Sequence, residues 1–186
     1  MNHIIRNIYV NMTDINSVPD DDNADVASQG DQSGEALIEL IELLFFAYRD
    51  FTSDPDAILA RYGFGRAHHR VIHFVDRNRG LAVADLLDIL KITKQSLGRV
   101  LRELIDGGFI RQVTGPQDRR QRLLYATAEG QALTARLRKP QSRRIRIALA
   151  RLDPGDRRIV SRFLFAMIDA GEQPKVAKLV GKEHSD

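Results

Sequence analysis

The 186-residue sequence contains no cysteine. Disulfides, thiolate metal sites and thiol nucleophiles are therefore excluded, and the composition fits a reducing compartment. No apolar run approaches the ~20 residues of a membrane span, and no signal peptide is readable at the start. A soluble, cytoplasmic protein without a membrane partner is expected. The signatures of common enzyme classes are also missing: there is no Walker loop, Gly-x-Gly-x-x-Gly, nucleophile elbow or His-Glu-x-x-His. Neither catalysis nor a cofactor is expected. His69 and His73 are four residues apart and could share a helix face. No acid within their segment completes a ligand set, so a structural or pocket-lining role is expected in place of a metal site.

Net charge is only +3, but its distribution is uneven. Residues 1–56 hold twelve acids against Arg6 and Arg49, whereas 91–125 hold eight bases against Glu103, Asp106 and Asp118. From 131 to 152 there are seven bases and no acid. An acidic head before a basic middle points to a polyanion partner for the middle alone.

Residues 1–32, rich in Asp, Asn, Ser and Gln and without periodicity, read as a disordered acidic leader. Ser33 is placed to cap a helix to about Phe51, whose polar residues Glu35, Glu39, Glu42 and Arg49 form one narrow stripe. A helix apolar over most of its circumference buries more than one face, and a second subunit is the expected cover for the other. Asp54-Pro55 reads as the start of a separate short helix ended by Gly63, with proline at the permitted first position. A helix with His68, His69 and His73 follows over about 66–76, then a short strand at Leu81-Ala82-Val83 and a helix with Leu86, Leu87, Ile89 and Leu90. Only Lys91-Ile92 separate that helix from the next. So tight a junction reads as a helix-turn-helix, although glycine would be expected at position 91.

The next helix, over 93–107, organises the chain. Leu97, Val100, Leu101 and Leu104 recur on one face, and Thr93 stands at the N-cap. Ser96, where Glu or Gln would complete a capping box, makes that box weak. Gly107 and Gly108 end the helix. Gln95, Arg99, Arg102 and Asp106 lie on the outward face, which suits base edges and phosphates of a DNA major groove. Gly98 in mid-helix costs up to ~1 kcal/mol relative to alanine, implying either close approach by another molecule or a local packing gap.

Beyond Gly108, Phe-Ile-Arg-Gln-Val, a turn-rich loop and Leu-Leu-Tyr-Ala read as a β-hairpin. Asp118, Arg119, Arg120 and Arg122 crowd its tip and exit. Arginines on such a loop suit the strongly negative potential of a narrow minor groove. Asp118 is placed to hold a neighbouring arginine through a bidentate contact. A basic hairpin directly after a reader helix is the wing of a winged helix. Thr127 caps the following helix, which Pro140 is expected to kink or break. A last helix runs from Asp153-Pro154-Gly155-Asp156 to about Ala170 with a wide apolar surface, and a polar tail over 173–186 follows.

In the order of these parts, the chain resembles the MarR family of bacterial transcriptional regulators over about residues 35–170. The most specific stretches are Ile92-Thr-Lys-Gln-Ser-Leu, Leu104-Ile-Asp-Gly-Gly-Phe-Ile, Asp118-Arg119-Arg120 and Thr127-Ala-Glu-Gly130. The resemblance implies a mainly α (α+β) fold, a winged helix-turn-helix DNA-binding domain with N- and C-terminal dimerisation helices. On that reading 33–65 and 140–172 dimerise, and 66–130 form the DNA-binding winged helix. It further implies a homodimer on palindromic double-stranded DNA, commonly a repressor controlled by a small molecule. Thr93, Lys94, Gln95, Ser96, Arg99 and Arg102 would be reader-helix contacts, and the wing of 113–122 would contribute Asp118, Arg119 and Arg120. Tyr48, His69 and His73 are the candidate lining of an effector pocket suited to an aromatic ligand. A winged helix used only for protein docking is the alternative. Redox sensing through cysteine is ruled out.

Overall fold

In the computed structural model, which describes residues 34–181, the chain runs α1 (Gly34–Ala60), α2 (Arg66–Arg77), β1 (Leu81–Ala82), α3 (Val83–Leu90) and α4 (Lys94–Asp106). It continues through β2 (Ile110–Thr114), β3 (Arg122–Ala126), α5 (Ala128–Leu149), α6 (Asp156–Ala166) and α7 (Gln173–Val180). The fold is mostly helical with one antiparallel sheet, ordered β1-β3-β2. Ile110 pairs with Ala126 and Thr114 with Arg122, while Leu81 of β1 faces Leu124. The acidic leader and the Ser33 cap lie outside the described residues, as does the end of the tail.

The described residues form two compact units, 34–137 and 138–181. The core of the first gathers Leu59 of α1, Val71, Ile72 and Val75 of α2, and Leu86 and Leu90 of α3. Leu97, Val100, Leu101 and Leu104 of α4 join them, with Ile110, Leu124, Leu133 and Leu137. The apolar stripe predicted for α4 is thus its buried face. In the second unit, the last turns of α5 precede α6 and α7, whose residues carry no fully buried side chain.

The joints of the helix-turn-helix follow backbone chemistry closely. Lys91 takes φ 48°, ψ 44°, the left-handed conformation for which glycine was expected. An ordinary side chain tolerates it at a cost of roughly 1–2 kcal/mol. Thr93 caps α4, its Oγ1 accepting from the Ser96 N–H at 3.1 Å and donating its own proton to Ser96 Oγ at 2.9 Å. At the far end only Gly108 is left-handed, at φ 77°, whereas Gly107 remains helical at φ −75°. The Phe109 N–H bonds to the Leu104 carbonyl and the Gly108 N–H to Ile105, both at 2.9 Å. Those two bonds make a Schellman closure.

Three expectations need correction. Pro55 does not start a separate helix; α1 runs through it to Ala60. Thr52 Oγ1 bonds back to the Tyr48 and Arg49 carbonyls and Ser53 Oγ to that of Asp50, so hydroxyls serve the turn ahead of the proline. Pro140 likewise sits inside an unbroken α5, because a proline removes one hydrogen bond and the turns on either side keep theirs. The last apolar helix ends at Ala166, and the supposed tail contains α7. Pro174 stands within its first turn, where a missing N–H costs nothing.

Thr127 caps α5 by accepting from Gly130 N–H at 3.1 Å and donates to the Gly108 carbonyl at 2.7 Å, joining the start of α5 to the end of α4. Gly130 lies so close that a Cβ there would stand 2.1 Å from the Phe109 carbonyl oxygen. Backbone cannot yield as a flexible side chain would. Gly130→Ala should therefore destabilise the protein by about 1–3 kcal/mol, read as a lowered denaturant midpoint; an unchanged midpoint would show that α5 can slide off this contact.

Candidate nucleic-acid interface

Burial of one side of α4 sets what the other side presents. Thr93, Lys94, Gln95, Arg99 and Arg102 are exposed, and Ser96 is half-buried as part of the cap. None of Lys94, Arg99 or Arg102 is held in an ion pair among the described residues. Beside this face, α4 and the sheet enclose a groove of about 370 Å³. Its floor includes Val83, Leu97, Leu101 and Ile105, and Lys94, Arg102, Gln112 and Arg122 stand around it.

The hairpin that follows is built from its own turn chemistry. Gly115 N–H bonds to the Gln121 carbonyl and Gln121 N–H to that of Asp118, each at 3.0 Å. Asp118 Oδ1 accepts from the backbone N–H of Arg120 at 2.8 Å. This corrects the expected bidentate contact: the carboxylate organises the turn and engages no guanidinium among the described residues. The tethered arginine is Arg122, which donates to the Arg119 carbonyl at 2.7 Å and reaches Thr114 Oγ1 at 3.4 Å. Arg119 and Arg120 are exposed, with guanidiniums outside any ion pair of the described residues. Reader-helix and wing candidates therefore belong to one compact unit, through α4, β2 and β3.

Two contacts that local spacing could not reveal brace this unit, and the first of them reaches α4. His68 is buried; its Nδ1 accepts from Gly65 N–H at 3.1 Å, and its Nε2 lies 2.5 Å from Glu103 Oε2. Because Nδ1 is an acceptor, the ring proton sits on Nε2 and points at the carboxylate. The ring stacks on Phe64 at 4.5 Å and 9°. Phe64 also meets Phe109 edge-on, as does Tyr62. Arg136 of α5 donates to the Tyr62 hydroxyl at 2.5 Å.

The candidate effector residues are less closely assembled. Tyr48 of α1 is exposed, with the Arg66 guanidinium 5.5 Å from its ring centre. Arg66 also pairs with Asp56 at 2.9 Å. His69 and His73 follow on successive turns of α2, and His73 meets Phe74 edge-on. Burial, reinforced by the nearby His73, holds the His69 imidazole below the usual histidine value, with Asp56 opposing.

A family model described as MarR family matches residues 62–121, a span holding α2 to α4, β2 and the wing tip. The HTH-type transcriptional regulator PetP of Rhodobacter capsulatus is 45% identical over 137 residues, covering 69% of this chain and 82% of that protein. The chain belongs to the MarR family of transcriptional regulators. Solved structures share the fold at low identity. The MarR family transcription regulator SP03579 matches with a TM-score of 0.61 and 16% identity, over 80% of this chain and 95% of that one. A MarR transcriptional regulator from Methanosarcina mazei Go1 gives 0.57 and 24%, over 73% and 88%. The MepR–DNA complex from S. aureus gives 0.54 and 16%, over 74% and 97%. No helix among the described residues of this family member is long and apolar enough to cross a membrane.

The His69 environment gives a pH dependence with a definite sign. Its native proton affinity is lowered, so the unfolded chain binds the proton more readily and stability rises with pH. That contribution is complete above the ordinary value of 6.5 and is lost as pH falls from there through the depressed native value. Replacing His69 with Gln should flatten the denaturant midpoint against pH in that window. An unaltered profile would remove His69 as the source.

Proposed function

We propose that the protein is a homodimeric, sequence-specific DNA-binding regulator, acting as a repressor in the cytoplasm. The observation that carries this reading is one compact unit bearing two basic surfaces outside any ion pair of the described residues: the outer face of α4 and the tip of the 113–122 wing. Gln95 and Arg99 read bases, glutamine favouring adenine and arginine guanine. Thr93, Lys94, Ser96 and Arg102 contact phosphate and set register. Arg120, with Arg119 beside it, enters the minor groove, and Asp118 shapes the turn that presents them. A protein of the same fold, S. aureus MepR, has been crystallised with DNA, which supports the assignment.

Dimerisation uses the segments 33–65 and 140–172. In α1, Leu37, Ile38, Ile41 and Phe45 are each about half exposed, and in α6 so are Ile159 and Phe163. Apolar surface on this scale marks an interface. Two copies on a dyad place their readers on half-sites about one helical turn apart, ~34 Å. An aromatic acid binding near Tyr48, His69 and His73, beside Arg66 at the start of α2, is the proposed release signal.

Selection from random duplexes should recover a palindrome, bound with an affinity that falls steeply as salt rises. Arg120→Ala should weaken that binding by roughly 1–3 kcal/mol and lower the salt slope by about one for each subunit. Unchanged affinity would take the wing out of the reading, and indifference to salt would favour protein docking instead. A thermal-shift screen of aromatic acids should raise the wild-type midpoint and leave Tyr48→Ala unmoved; no shift with any compound would point to a constitutive binder.

A further inference from the structure

Glycine inside a helix needs a reason, because it loses more freedom on folding than any other residue. The other glycines beside α4 each have one. Gly108 is left-handed at φ 77°, and a Cβ on Gly107 would stand 3.0 Å from the Phe109 ring. A Cβ on Gly130 would collide with the Phe109 carbonyl. Gly98, the fifth residue of α4, has none of these. Its backbone is not left-handed, and a Cβ built there meets nothing within 4 Å among the described residues. Neither a packing gap nor a strained backbone calls for it.

Its surroundings indicate what does. Gly98 lies on the wing side of α4, with Lys94 and Arg102 one turn away on either side and Gln112 and Arg122 across the groove. It is exposed in the middle of the outward surface. Three cations and one amide donor thus stand against a single acid of the groove, Asp106, a balance that suits a polyanion. A missing side chain at such a point lets the helix axis lie closer to whatever these side chains grip.

We infer that Gly98 is an affinity-determining residue, the point at which the α4 backbone comes into van der Waals contact with duplex DNA. The inference rests on the reader role proposed for α4 and adds a steric requirement to it. Helix stability and DNA affinity then oppose each other at this position: a methyl group strengthens the helix and holds the helix off the duplex.

Full-length Gly98→Ala and Gly98→Leu test this against a duplex selected with the wild-type protein. Gly98→Ala should raise Tm by about 2–4 °C and weaken binding about tenfold, the size of one lost base contact. Gly98→Leu should bind more weakly still, and neither should alter the salt slope, because no charge changes. A raised Tm with wild-type affinity overturns the inference and leaves the reader role standing. A lowered Tm for Gly98→Ala overturns it by giving the glycine a role inside the fold. A wild-type protein that retains no duplex at low salt overturns both together.

Discussion

The burial of Leu97, Val100, Leu101 and Leu104 governs the rest of the structure. All four are buried against a core shared by helices from both sides and by the sheet. Each fully buried side chain of this kind contributes about 1.5–3 kcal/mol. Turning α4 about its own axis would expose several of them at once, so its rotation is set by the core. The exposure of Gln95, Arg99 and Arg102 follows from that packing. An interaction face defined by default, as the complement of a buried stripe, is as rigid as the stripe.

Axial position is fixed separately. The Thr93 cap closes one end of α4 and the Schellman turn at Gly107-Gly108 the other. Thr127 fastens that turn to α5, and the Glu103–His68 contact ties the middle of α4 to α2. The wing is made differently. Asp118 and Gly115 shape its backbone, while the Arg119 and Arg120 side chains are exposed outside any ion pair of the described residues. On the proposed reading this division suits the two tasks. Base edges demand side chains held within a fraction of an ångström, whereas a narrow groove attracts arginine through its potential and tolerates a flexible arm.

What could be read from the sequence was local. The α4 stripe, the caps at Thr93 and Thr127 and the stop at Gly108 depend on residues within a few positions of each other, and the pairing of β2 with β3 on partners no more than 16 apart. Even the left-handed turn at position 91 was legible from spacing, although its occupant is lysine. The errors at Pro55 and Pro140 share a cause. Proline forbids one hydrogen bond, and whether the helix survives is decided by the turns on either side, which carry no comparable signal. His68–Glu103 spans 35 positions and Tyr62–Arg136 spans 74; nothing in residue spacing pairs them. Spacing drew attention to His69 and His73, whereas it is His68 to which the fold gives a capping role and a carboxylate partner.

The exposed apolar residues bear on how binding and assembly are linked. Half-exposed leucine, isoleucine and phenylalanine along α1 and α6 make an unlikely resting surface for an isolated chain. An isologous contact buries each such face twice, once on each subunit, so modest faces yield a large interface. In the proposed dimer the second reader binds at an effective concentration fixed by the protein, and affinity for a palindrome exceeds that of either half. The two contacts respond to different conditions. Apolar dimerisation hardly depends on ionic strength, whereas each phosphate contact releases counterions and weakens as salt rises. On the proposed reading, an effector near Tyr48, His69 and His73 would need only to alter the spacing of the readers: two half-sites on a stiff duplex turn a small change of angle into the loss of the second contact, with the dimer intact.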